Sequence, residues 1–438
     1  MKIVNVIGAG MAGCEATWQL HKRGVQVNLY EQKLLQKSQA HSLDTFAELV
    51  CSNSLKSLDR DTASGLLKAE LDCLDCLLLR LARQCRVPSG SALAVDRAAF
   101  SALVTTTIQQ LPNVHIHHQI VDSIDITHPT IIATGPLTEG KLASQIQELT
   151  NGFLSFFDAV SPIVEYDSID IKSCFVQDRY DKHSDCLQQP IIEGDYINCP
   201  MTKCEYDEFY ANLISADRVQ PKEWEKIPYF DSCMPIEIIA SKGRDTMRFG
   251  PLRPVGFVDP STGKRPYAVL QLRKENTLGN IYNLVGCQTS LKFAEQKRVF
   301  GLVPALRNAS YVRYGVMHRN SFVNAPQVLD RHFGLRQLSH IYIAGQLSGL
   351  EGYVESIMSG LVAGCSMANR LASKTDIEYP NTTIIGALTT YMTTPNPSYS
   401  PMNANFGILP SLSIIRDKQE RKKAYANRSL EFFDKVVD

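Results

Sequence analysis

The sequence predicts an α/β protein: a Rossmann-like domain split into two stretches, with an α+β domain inserted between them. Three observations carry that prediction. An apolar run passes through a glycine-rich turn into a helix pattern at the start of the chain. A second glycine-rich turn follows an apolar run near residue 345, and between the two the texture changes to short β-type runs separated by prolines. The first stretch is expected over 1–157, the insert over 158–325, and the second stretch, ending in a helical tail, over 326–438.

Lys2-Ile3-Val4-Asn5-Val6-Ile7 is apolar and rich in β-branched residues, the mark of a buried parallel strand. Gly8-Ala9-Gly10-Met11-Ala12-Gly13 follows, then a helix pattern from Cys14 to Lys22 that stops at Gly24. A second strand, Val25 to Tyr30, ends at Glu31 and completes a βαβ unit. From about Ser38 to Ala94 the pattern reads as mostly helical, with helical spacing of apolar residues over Asp61 to Arg83. Ile131-Ile132-Ala133-Thr134-Gly135 is another strand with a small-residue turn. In the insert, Pro200, Pro228, Pro235, Pro251 and Pro254 separate runs such as Tyr267 to Leu272 and Ile281 to Val285. Ile341 to Gln346 is a returning Rossmann strand, a helix is expected from about Tyr353 to Ala372, and Arg416 to Arg428 is a charged helical tail.

The complete strand–turn–helix context makes the glycine triplet a cofactor prediction. Gly8 allows the tight turn, Gly10 lets the backbone approach a pyrophosphate, and Gly13 permits close helix–strand packing. The helix N-terminus adds partial positive charge, and Glu31 is placed to accept hydrogen bonds from a ribose. A cofactor domain that returns late in the chain suits the long FAD better than NAD. The cofactor-binding residues expected are Gly8, Ala9, Gly10, Met11, Ala12, Gly13, Glu31, Gly135, Gly345, Gln346 and Glu351.

Lys plus Arg and Asp plus Glu stand at 45 each, so any nucleic-acid surface must be a local patch rather than a basic domain. Two patches qualify: Lys203, Arg244, Arg248, Arg253, Lys264, Arg265 and Arg273, or the tail with Arg416, Lys418, Arg421, Lys422, Lys423 and Arg428. The start of the chain does not read as a signal peptide and no run approaches a membrane span. The 12 cysteines are therefore expected to be reduced thiols in a cytoplasm. Cys73 and Cys76 lack a matching second pair and read as one face of an amphipathic helix, so no metal site is expected. Cys51, in a polar run with Lys56 close by, and Cys233, in a turn-rich stretch, are the candidates for reactive thiols.

Seven strings in order resemble one family. They are Val6 to Ala16, Cys51-Ser52-Asn53-Ser54-Leu55-Lys56-Ser57, Ala92 to Arg97, Arg248 to Gly256, Tyr314 to Asn320, Gly349 to Ser356, and Pro401 to Gly407. The chain is similar throughout to the folate- and flavin-dependent tRNA (uracil-5-)-methyltransferases, TrmFO, relatives of the larger GidA-type flavoproteins.

The resemblance implies a GidA-type FAD-binding fold and a reductive methylation. Methylenetetrahydrofolate supplies one carbon, FAD carries it, NADH or NADPH supplies electrons, and C5 of a tRNA T-loop uridine becomes methylated. It implies Cys233, in a Cys-Met-Pro-Ile-Glu string, as the thiol that adds to C6, and Cys51 as the second catalytic cysteine. The two roles are exchangeable, and Glu351, His318 and Arg319 fall in matched strings. Cys287 and Met358 depart from the family pattern at positions expected near substrate or flavin. The alternatives are the same chemistry on ribosomal RNA, a flavin-dependent oxidoreductase of a small molecule, or a non-catalytic RNA-binding flavoprotein. Neither a membrane nor DNA is an expected partner.

Overall fold

The computed structural model describes residues 2–38, 40–179, 195–219, 229, 234–397, 399–412 and 415–436. Five parallel strands make one sheet in the order Ile341–Ile343, Thr130–Ile132, Ile3–Ile7, Gln26–Glu31 and Val114–His118. Val4, Val6, Val27, Leu29, Ile131, Ile132, Ile341 and Ile343 are fully buried in this sheet, whereas the edge strand Val114–His118 is only partly covered. Helix Met11–Lys22 covers one face together with helix Tyr353–Ala372. Their backbones approach so closely that a Cβ on Gly360 would stand 2.1 Å from the Ala12 carbonyl oxygen.

The chain leaves this sheet along Phe153–Ala159 and returns along Met317–Val323, two strands paired antiparallel from Met317↔Ala159 to Val323↔Phe153. Between them lies an antiparallel sheet of six strands, in the order Phe175–Val176, Tyr196–Met201, Ala268–Lys274, Ile281–Leu284, Ile163–Glu165 and Tyr311–Arg313. It has its own core, with Tyr206, Phe209, Met247, Leu270 and Phe300 at the centre. The core around the parallel sheet is separate and takes in the C-terminal residues Tyr425 and Phe433.

Two expectations need correction. The stretch from 38 to 94 is not mostly helical, because Ser54–Ser57, Arg86–Val87 and Ala92–Val95 form a three-stranded sheet. Serine side chains hold the preceding loop out of helix: Ser52 Oγ accepts from Ser54 N at 3.2 Å, Ser54 Oγ from Lys56 N at 3.1 Å, and Ser57 Oγ from Asp59 N at 3.0 Å. The helix expected over Asp61 to Arg83 is two helices, Ala63–Cys73 and Leu77–Gln84, broken at Asp75 with φ +54°. Buried Glu15 makes the second start possible by accepting from the N–H groups of Leu77 at 3.3 Å and Leu78 at 3.0 Å. Cys73 and Cys76 therefore do not share one helix face; Cys76 is buried with its thiol donating to Glu15 Oε2 at 3.4 Å.

The helix expected from Tyr353 to Ala372 has those bounds. The charged tail expected over Arg416 to Arg428 is helical from Lys418, in a helix that runs on to Val436, while Arg416 and Asp417 precede it. No helix among the described residues is long and apolar enough to cross a membrane.

Candidate functional site

Parallel register brings the strand ends into line. Ala133 N donates to Ile7 O and Ala344 N to Ile132 O, each at 2.8 Å, while Gly8 N donates to Tyr30 O at 2.8 Å. The turns at Gly8, Gly135 and Gly345 therefore emerge at one edge of the sheet, with φ of +100°, +78° and +77° that L side chains rarely adopt. A Cβ on Gly13 would stand 1.8 Å from the Gly8 carbonyl oxygen, so glycine is required where helix meets turn. At Gly10 nothing lies within 4 Å of where a Cβ would be, and this open face is what a pyrophosphate needs. Met11 and Ala12 begin the helix and are buried. Glu31 Oε2 accepts from Ala9 N, and its Oε1 from Lys33 N, both at 2.9 Å, so the carboxylate ties the glycine loop to the next strand. These residues fit a dinucleotide whose phosphates rest at the helix start.

The second glycine turn completes the edge. Gly349 and Gly352, with φ of +94° and +116°, lead into helix Tyr353–Ala372. Gln346 Nε2 donates to Glu351 Oε2, and burial, then the negative charge of Asp158, push the Glu351 carboxyl well above the usual range. Glu351 N donates to Met402 O at 3.0 Å, and Glu355 Oε1 accepts from Ala404 N at 2.9 Å, which brings 401–407 onto this helix start. The Lys56 ammonium lies 3.7 Å from Glu355 Oε1, while the buried Glu355 Oε2 has no hydrogen-bond partner among the described residues.

Cys51 sits where the edge meets the insert, half-buried, with its thiol 3.9 Å from the Ala159 carbonyl oxygen. Its loop is clamped from four sides. The Tyr353 hydroxyl accepts from Cys51 N at 2.7 Å and Ser52 N at 3.2 Å. Arg97 donates to Leu49 O at 2.7 Å and Cys51 O at 3.3 Å, and Arg313 donates to Val50 O at 3.1 Å and Cys51 O at 3.3 Å. Arg273, from the insert, reaches Asn53 Oδ1 at 2.9 Å and Ser52 Oγ at 2.7 Å.

Arg97 itself is fixed by Glu275, with Nε 2.6 Å from Oε2. Asp96 caps the Arg97–Gln109 helix through Ala99 N at 3.1 Å and accepts from Thr277 N at 3.0 Å. Burial opposes the charge on Arg97, but Glu275 outweighs it and holds the guanidinium protonated. Burial, then Cys51, keeps the Tyr353 hydroxyl neutral, so it retains a proton to donate. Tyr353→Phe is expected to leave two backbone donors without their acceptor, at about 1–3 kcal/mol. Turnover should fall while bound flavin is unchanged; equal turnover at saturating substrates would show that the hydroxyl does not position the loop.

Arg97 and Tyr353 lie inside the strings that carry the resemblance, yet nothing local shows their roles; Arg273 is expected in a basic surface patch rather than at this loop, and nothing singles out Glu275 or Arg313. The one available signal was charge at the ends of apolar strands, as in Leu272-Arg273-Lys274-Glu275. Cys233 lies outside the described residues. His318 is half-buried, with burial and then Arg313 lowering its pKa, and Arg319 is exposed on the same strand. Cys287 is fully buried in the core of the insert, and Met358 is fully buried inside the 353–372 helix.

The first basic patch is not one surface. Arg273 is buried in the clamp, Arg244 is paired with Asp207, and Arg248 is paired with Asp245 at 2.9 Å. Among the described residues no three His, Cys, Asp or Glu side chains gather as a metal-ligand set.

Glycine turns aligned on a parallel sheet, with a second domain inserted before the last strand, define a dinucleotide-binding α/β protein. The family model described as glucose inhibited division protein A matches residues 3–375. The Aquifex aeolicus GidA structure is similar in fold, with a TM-score of 0.69 at 17% identity, covering 99% of this chain and 73% of that one. Two curated relatives are each named methylenetetrahydrofolate–tRNA-(uracil-5-)-methyltransferase TrmFO. The Listeria welshimeri protein is 50% identical over 440 residues, 100% of this chain and 99% of its own length. The Bacillus subtilis protein is 49% identical over 431 residues, 98% of this chain and 97% of its own. The chain belongs to the TrmFO family of GidA-related proteins.

Proposed function

We propose that this protein is a cytoplasmic, FAD-dependent methyltransferase. It converts a uridine of the tRNA T-loop to 5-methyluridine, with methylenetetrahydrofolate as carbon donor and NADH or NADPH as reductant. The observation that carries this reading is the position of Cys51, held by Tyr353, Arg97, Arg273 and Arg313 between the glycine-turn edge and the insert.

Bound FAD supplies two-electron chemistry, through which a methylene carbon is reduced to methyl. Gly8–Gly13, Glu31, Gly135, Gly345, Gln346 and Glu351 would hold it along the edge where their turns align. The chain's own sulfur does the rest. Uracil C5 is a poor nucleophile until a thiolate adds to C6. We assign that addition to Cys233 and the movement of the C5 proton to Cys51, whose loop faces the neutral Tyr353 hydroxyl. Once that proton has left, the C6–S bond breaks and the ring is restored. Clamping matters because a misplacement of about 1 Å at a reacting group lowers rates about a hundredfold.

Gly13→Ala is expected to force helix from turn, costing about 1–3 kcal/mol, with flavin lost on purification. A variant with wild-type flavin content and urea midpoint would contradict the fit of FAD to this loop.

Incubation with labelled methylenetetrahydrofolate, NADPH and either unmodified tRNA or ribosomal RNA tests the target. Label at uridine C5 of tRNA is expected. Label only in ribosomal RNA would move the target, and flavin reduction without label in either RNA would favour a small-molecule oxidoreductase.

A further inference from the structure

The outer end of the insert carries a cavity of about 580 Å³ that the proposed chemistry does not use. Its wall includes Lys172, Cys174, Thr202, Lys264, Arg265 and Tyr267. Fold pairing sorts the basic residues of this region. Arg244 is held by Asp207, Arg248 by Asp245, and Lys292 by Asp217. Lys172, Lys264 and Arg265 are exposed, and among the described residues none of the three has an ion-pair partner. Three cations that the fold leaves without an ion pair therefore line one concavity, while Lys203, Lys242, Lys297 and Arg307 are exposed elsewhere on the insert.

Two acids share the wall, but local backbone engages both. Glu205 Oε2 accepts from Thr202 N at 2.7 Å and Thr202 Oγ1 at 2.8 Å in a capping box. Asp259 Oδ1 accepts from Ser261 N at 2.9 Å and Ser261 Oγ at 2.7 Å in the turn that presents Lys264. Arg248 stacks on Tyr267, 3.6 Å from the ring centroid, and donates to Tyr267 O at 2.9 Å, which stiffens that wall. Both carboxylates keep their charge, but their oxygens are turned to local donors, so the wall carries three cations against two engaged acids and a small positive excess.

Tyr267 immediately precedes strand Ala268–Lys274, whose far end carries Arg273 on Ser52. At about 3.3 Å per residue the cavity lies about 20 Å from the Cys51 loop. One folded RNA can reach both places.

We propose that this cavity is a second RNA site, at which Lys172, Lys264 and Arg265 hold backbone phosphates of a segment distal to the methylated uridine. The inference rests on the RNA-methyltransferase reading for its ligand.

The test is direct binding of unmodified tRNA to the FAD-loaded enzyme over a range of salt, beside a short stem-loop carrying only the target uridine. Lys264→Glu with Arg265→Glu is expected to weaken tRNA binding about tenfold or more and to lower the salt slope by about one to two units. Stem-loop binding and flavin content should not change. The neutral pair Lys264→Gln with Arg265→Gln should give a smaller loss in the same direction. Wild-type tRNA affinity and slope in both double variants would overturn the proposal, as would equal losses on tRNA and stem-loop. A wild-type enzyme that binds tRNA but transfers no methyl group would overturn the methyltransferase reading and leave the cavity's result standing.

Discussion

Replacing Arg97 with methionine is expected to be among the most damaging single changes in the chain. Glu275 is 2% exposed, and its carboxylate pairs with the Arg97 guanidinium through Nε at 2.6 Å and Nη2 at 3.2 Å. Removing one member of a buried pair leaves an uncompensated charge, which costs about 3–5 kcal/mol. The same change strips donors from the carbonyls of Leu49 and Cys51. Stability and methyl transfer should therefore fall together, read as the urea midpoint and as turnover. Adding Glu275→Gln should recover part of the stability, because the stranded charge is gone, but little of the turnover, because the loop still lacks its donor. A single variant with wild-type midpoint would show that Glu275 finds another partner. Full turnover in either variant would remove Arg97 from the positioning of Cys51.

The second large effect is chemical. Cys233→Ala is expected to lower methyl transfer by at least about a thousandfold, while the enzyme stays yellow and its flavin is still reduced by NADPH. Cys51→Ala should lower transfer by at least about a hundredfold with flavin retained. The two sulfurs separate through RNA carrying 5-fluorouridine, whose fluorine cannot leave C5 as a proton does, so the C6–S bond persists. The protein–RNA adduct should form in the Cys51 variant and not in the Cys233 variant. The reverse pattern would exchange the roles, and loss of flavin from Cys233→Ala would make that residue structural.

What was legible in the sequence was local. The Gly8–Gly13 turn, the Glu31 strand end and the Tyr353–Ala372 helix are each written within one element, because a tight turn needs glycine and a buried strand needs β-branched residues. The stretch from 38 to 94 misled for the opposite reason. Its strands are two to four residues long and rest on one another, and the serines that hold 52–59 out of helix act through side-chain oxygens that a periodicity count does not register.

The clamp around Cys51 was out of reach because its partners are far apart in the chain. Arg273 meets Asn53 across 220 positions, and Arg97 meets Glu275 across 178. The basic residues of the insert looked equivalent until the fold paired Arg244 and Arg248 and buried Arg273. A cation's availability is a property of its neighbours, and those neighbours are set by tertiary structure.

The most direct test of the central claim uses carbon-13 methylenetetrahydrofolate, with NADPH, the FAD-loaded enzyme and unmodified tRNA, followed by digestion of the RNA and mass analysis of its nucleosides. The account predicts 5-methyluridine carrying the heavy carbon at C5, formed only when both the folate and the reductant are present. Unlabelled RNA after the flavin has been turned over, or methylation that proceeds without the folate, would contradict it.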